Sequence, residues 1–198
     1  MVDFPPLTPS NKWFSHFFHY FATGIPEEEA IIKANLEIES AREFGRFFLK
    51  TPNGITEMLT VAIEGGGRQL RSFHKLDNLQ LSEHGDWRRV HLHTIETCLG
   101  KQPFYRHLDT RLKEIYTNKG ITTLKVFNTA IFKFLFSFLN GEIKQKDLVS
   151  FSEKKEALER GKEIQEFMEP DLSLLYTVSS FGKEAILGIL ASDVRQPN

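Results

Sequence analysis

Apolar side chains near the start of the chain recur with helical period. After the turn at Pro5 and Pro6, Trp13, Phe14, Phe17, Phe18 and Phe21 fall at i, i+1, i+4, i+5 and i+8, a single broad stripe. Ser10 or Asn11 can cap this helix, which runs from about Lys12 to Ala22 and stops at Gly24, with Pro26 beyond. The pattern then changes. The β-branched pair Ile31 and Ile32 and the alternation of Leu36 and Ile38 favour a strand over Ala30 to Ile38, although EIESAREF is equally compatible with helix. Apolar-rich runs from Arg46 to Lys50 and from Met58 to Glu64 flank TPNGITE. Asn53 and Gly54 both tolerate positive φ, so the two runs are predicted to form a hairpin. The triple glycine Gly65 to Gly67 ends its second strand, and Phe73, Leu76, Leu79 and Leu81 predict a third strand over Ser72 to Leu81.

From there on the spacing is helical. Asp86 is placed to cap a helix carrying Trp87, His91, Thr94, Ile95 and Cys98 and closed at Gly100. A helix from Phe104 to Tyr116 puts Leu108, Leu112 and Ile115 on one face, and Thr123 to Leu139 is apolar nearly all round, as a central helix must be. A charged helix near Lys155 to Met168, two short apolar helices in LSLLYTVSSFG and KEAILGIL, and a frayed tail SDVRQPN complete the reading. The order of elements predicts one α/β domain of the α+β kind over residues 1–198. A mixed or antiparallel sheet in the N-terminal half is packed by a helical C-terminal half.

Composition narrows the classes of function. A chain of 198 residues can bury a substantial single core, and 18 phenylalanines supply much of its bulk. The 25 Lys and Arg nearly cancel the 26 Asp and Glu, and neither sign forms a long block, which argues against nucleic-acid and polybasic membrane partners. Cys98 is the sole cysteine and has no partner for an internal disulfide, which suits a reducing cytoplasm. MVDFPPLTPSNKW lacks the basic and apolar regions of a signal peptide. The segment Val126 to Leu139 is too short, and too interrupted by Asn128 and Lys133, to be a transmembrane segment.

Candidate chemistry is sparse. EGGGRQL exposes consecutive backbone N–H groups beside Arg68, an arrangement open to an anion, but no Gly-Lys-Ser/Thr follows and a plain turn between strands is the default. Cys98 and His91 share a helix face, yet seven residues separate them by about 10 Å along the axis, so a buried structural cysteine is favoured over an activated nucleophile. His16 with His19, and His91 with His93, match no metal-binding signature; no dedicated metal site is expected and no cofactor is indicated. His91, early in its helix and just after the glycine turn and third strand, is either a packed core histidine or a general acid or base. Arg46, between FG and FF, is either a snorkelling or ion-paired surface residue or, together with Arg68, a cleft arginine for an anionic group.

Taken in order, NGITEMLTVAIEGGGR, HKLDNLQLSEHGDWRRVHLHTIETCLGKQPFYRHL, FNTAIFKFLFSFL and FMEPDLSLLYTVSSFGKEAI resemble the WbqC-like protein family over most of the chain. The matching positions include Pro5, Pro6, Arg46, Asn53, Gly54, Leu59, Thr60, Val61, Trp87, His91, Pro103, Pro170, Leu172 and Ser173. Three departures stand out. Relatives tend to carry Arg-Asn-Arg where this chain has Phe44-Gly45-Arg46, polar residues of their preceding strand appear as Ala34 and Asn35, and their aspartate after the PxLSxx segment is Tyr176. The resemblance implies a cytoplasmic enzyme of surface-polysaccharide precursor biosynthesis, of O-antigen type, with an acyl- or aminoacyl-type transferase as the candidate activity and a small anionic or sugar-linked substrate. In that reading His91 is the acid or base, and Arg46, Arg68, Asn53 and Trp87 contact the substrate. The rival is a non-catalytic binding or scaffold protein that has lost the family's polar site residues, with a cleft filled by apolar side chains or an exposed aromatic patch.

Overall fold

The structure, a computed structural model, describes residues 2–140 and 172–182. The expected helix near Lys155 to Met168, the KEAILGIL helix and the tail lie outside the described residues. Helix α1 (Asn11–Ala22) starts where the pattern predicts: the Ser10 hydroxyl accepts from the Trp13 N–H at 3.2 Å, and Trp13, Phe14, Phe17 and Phe18 are buried.

The expected strand over Ala30 to Ile38 is instead helix α2 (Glu27–Asn35), which packs on α1. Its buried residues, Ala30, Ile31, Ala34 and Asn35, repeat the i, i+1, i+4, i+5 stripe of α1. Glu27, Glu28 and Glu29 occupy the first turn, where negative charge offsets the helix dipole. That periodicity, extended by a favourable N-terminus, outweighs the strand preference of two isoleucines.

The hairpin forms as β1 (Arg46–Lys50) and β2 (Thr56–Thr60), antiparallel, with Arg46 opposite Thr60 and Lys50 opposite Thr56. β2 begins before the expected Met58 and ends short of Glu64. At the turn Gly54 takes φ +83° and the Thr51 N–H donates to the Ile55 carbonyl at 2.7 Å. The third strand expected over Ser72 to Leu81 does not form. Short 3-10 turns at Gln69–Arg71 and Phe73–Asn78 take its place. Phe73, Leu76 and Leu79 are spaced by three, the period of a 3-10 turn, and this spacing buries Leu76 and Leu79 without a ladder. Only isolated bridges, Ile63 with Leu81 and Gln80 with Thr123, remain of the extended pairing.

Helices α3 (Trp87–Leu99), α4 (Arg106–Thr117) and α5 (Leu124–Asn140) follow, and residues 174–182 are helical. Asp86 does precede α3, but its carboxylate pairs with Arg89 and makes no cap bond. α5 is the central helix: Phe132 meets Phe17 edge-on at 5.1 Å, and Phe127 meets Trp87 at 5.4 Å. The fold is thus α+β, mostly helical, with its small antiparallel sheet in the N-terminal half.

Ahead of α1, residues 2–9 form an irregular strap whose backbone needs partners. Two buried asparagines provide them. The Asn35 amide donates to the carbonyls of Val2 and Phe4 at 2.9 and 3.0 Å, and the Asn128 amide to those of Pro5 and Phe44 at 3.0 and 2.7 Å. Residues 172–174 close over the strap's end, with the Asn11 N–H donating to Leu172 and the Leu174 N–H to Pro9.

Candidate functional site

Strand alternation puts Arg46, Phe48 and Lys50 on one face of β1 and sends Phe47 and Leu49 into the core. The outward face borders a cleft of ≈ 620 Å³, whose other walls are α1, the strap, the segment from Glu37 to Glu43, and Leu172 with Ser173. This is within the usual size for a small-molecule site. Arg46 is half-buried in this wall. Its Nε is fully buried with no hydrogen-bond partner, and its guanidinium lies 5.9 Å from the Phe48 ring centre.

The residue before it is held by close packing. A Cβ on Gly45 would come within 2.5 Å of Leu70 Cδ1, and Leu70 is itself buried, so the missing side chain at Gly45 is what gives Leu70 its place. Asn35 serves the strap, and its Oδ1 accepts from Trp13 Nε1 at 2.9 Å.

The charges around the cleft are mixed and separated by element. Lys12 and His16 are one turn apart on α1 and join Arg46 as its basic groups; Glu37, Glu39 and Glu43 are its acids. Lys12, His16, Arg46, Glu37 and Glu39 make no ion pair among the described residues.

Of the five residues singled out in the sequence, Arg46 alone lines this cleft. Arg68 is exposed in the glycine turn, and Asn53 is exposed at the hairpin tip, where its side chain accepts from the Thr51 hydroxyl. Trp87 is buried, donating from Nε1 to the Ser82 carbonyl at 2.6 Å. His91 is 2 % exposed. Its Nε2 lies 3.1 Å from the Thr60 carbonyl and its Nδ1 3.3 Å from the Tyr116 hydroxyl, so a proton on Nε2 and a lone pair on Nδ1 satisfy both. Burial pulls its pKa down to about 4, only partly opposed by the Thr60 bond, and the ring is neutral at pH 7. Cys98 is buried and its thiol is pushed up, by burial first and then by Glu57, away from thiolate chemistry.

Sequence reasoning missed Lys12, Glu37 and Glu39, and saw His16 only as half of a weak metal pair. The available signal was the polar side of α1, where Lys12 and His16 stand four apart opposite the aromatic stripe. Among the described residues no three His, Cys, Asp or Glu side chains converge as a metal site would require, and no helix is long and apolar enough to cross a membrane.

Comparison with known proteins gives one match. No curated protein and no solved structure matches the chain. The model of the WbqC-like protein family matches residues 18–175, a span that includes β1 with Arg46, the segment of Glu37 and Glu39, α3, and Ser173. The chain belongs to the WbqC-like protein family.

Proposed function

We propose that this protein is a cytoplasmic enzyme of surface-polysaccharide precursor assembly that holds a small anionic, sugar-linked substrate in the cleft between α1 and β1, with Arg46 gripping the anion. The observation that carries this reading is the place of Arg46, half-buried on the cleft lining and without an ion pair among the described residues. A guanidinium so placed can take a phosphate or carboxylate through charge-assisted hydrogen bonds. Phe48 offers a flat apolar face beside it. His16, the one imidazole on the lining among the described residues, takes the acid–base place in a transfer reaction of the acyl or aminoacyl type. His91 reaches the cleft through Phe47, whose ring it meets edge-on at 5.9 Å, and in this reading it holds β1 in position.

The lining also weighs against a purely scaffolding role, since a cleft lost to function would have its charges paired or replaced by apolar side chains. A thermal-shift screen with nucleotide sugars, acyl thioesters and amino acids tests the reading. A ligand that raises the melting temperature of the wild type but not of Arg46→Ala supports it. Silence from all three classes, or an equal shift in Arg46→Ala, removes Arg46 as the anion-binding group.

A further inference from the structure

We infer that the substrate of this cleft carries an amino group as well as an anionic one, the amine being received by Glu37 and Glu39; this rests on the anion-binding reading of Arg46. The buried Ile38 stands between the two glutamates and fixes their segment to the core, while both carboxylates are exposed and border the cleft. The backbone behind them is held by the end of α2, where the N–H groups of Glu37 and Ile38 donate to the carbonyls of Ala34 and Asn35 at 3.2 Å. The glutamates are therefore presented from a tethered turn.

The basic groups come from other elements, Lys12 and His16 from α1 and Arg46 from β1, and none of them pairs with Glu37 or Glu39. Opposite charges that share a cleft without meeting are complementary to a ligand that bridges them. A purely anionic molecule would satisfy Arg46 and Lys12 yet face the carboxylates of Glu37 and Glu39, a juxtaposition that selects against it. A molecule with a phosphate or carboxylate at one end and an ammonium at the other meets both walls. A cleft of ≈ 620 Å³ also has room for a hexose between those ends, with its apolar face toward Phe48. The class is thus an amino sugar carrying an acidic group.

Titration calorimetry on the full chain at neutral pH, with glucosamine 6-phosphate, glucose 6-phosphate and N-acetylglucosamine 6-phosphate, puts this to the test. The free amine should bind about tenfold more tightly than the other two, the value of one charge-assisted contact at a solvated site. The double substitution Glu37→Gln, Glu39→Gln should erase that preference while leaving the binding of glucose 6-phosphate unchanged or improved, and Arg46→Ala should weaken all three. Equal affinities that still depend on Arg46, or a preference that survives the double substitution, overturn the amine site alone. Binding that ignores Arg46→Ala overturns the anion site beneath it. No binding of any of the three rejects the amino-sugar class and leaves the anion site to be judged by the thermal-shift screen.

Discussion

Arg88 and His91 on α3, and Arg46 and His16 beside the cleft, are the same two residue types in opposite circumstances. On α3 the side-chain nitrogens of both residues are answered: Arg88 reaches Glu83 at 3.3 Å and the carbonyls of Tyr116 and Ile121 at 3.2 and 2.7 Å, and it stacks 4.9 Å from the Trp87 ring. His91 is likewise engaged at both nitrogens. At the cleft Arg46 has a buried, unanswered Nε, and His16 has no partner among the described residues. A buried cation with a complete set of acceptors holds elements together; one that lines an open cleft without an ion pair is set for something that arrives from outside.

The largest effect expected from this contrast is on stability. Arg88→Ala should cost about 4 kcal/mol, because it strands two buried carbonyls and removes a cation stacked on Trp87 and Phe127. A shift of the urea midpoint equivalent to less than about 1 kcal/mol would break the comparison from the structural side.

Next in size is a dependence on pH. The native state keeps His91 neutral down to about 4, whereas the unfolded chain takes up its proton near the ordinary value of 6.5. Between these values the unfolded state binds more protons, so stability is complete above the upper one and falls as pH drops toward the lower, by about 3 kcal/mol at most. The difference between wild-type and His91→Gln unfolding curves over that window isolates the term. A wild-type curve parallel to that of the variant would mean that His91 charges freely in the fold.

The smallest effect sharpens the comparison most. Arg46→Ala should leave stability within about 0.5 kcal/mol of wild type, since it deletes a donor that had no acceptor. Denaturation as severe as that of Arg88→Ala would make both arginines structural.

These contrasts also explain what could be read from the residues in order. α1, the hairpin and α3 to α5 were legible because each is written in local spacing: an aromatic stripe, an Asn-Gly turn, a Trp and His one turn apart. The segments read as strands at Ala30 to Ile38 and Ser72 to Leu81 failed locally too, one because Glu27 to Glu29 start a helix and one because a spacing of three suits 3-10 turns. The cleft is different in kind. Arg46 stood out as a charge within an aromatic run, but its neighbours come from α1, the turn after α2, and Ser173. No linear spacing relates those positions; only the burial of Ile38 and the seating of α1 on α5 brings them to one place.

The strap carries a consequence for how the molecule comes into being. During synthesis residues 2–10 emerge ahead of the groups that hold them, and while Asn35 follows soon for Val2 and Phe4, other partners come late: Lys125 for Asp3, Asn128 for Pro5, and Leu172 to Leu174 for the residues at the start of α1. Closing contacts of such separation is slow, and the strap lacks these partners until most of the chain has been made. The cleft wall that the strap forms is therefore among the last parts to be completed. A nascent chain halted before Leu172 could hold Arg46 in its hairpin and still have no finished pocket around it.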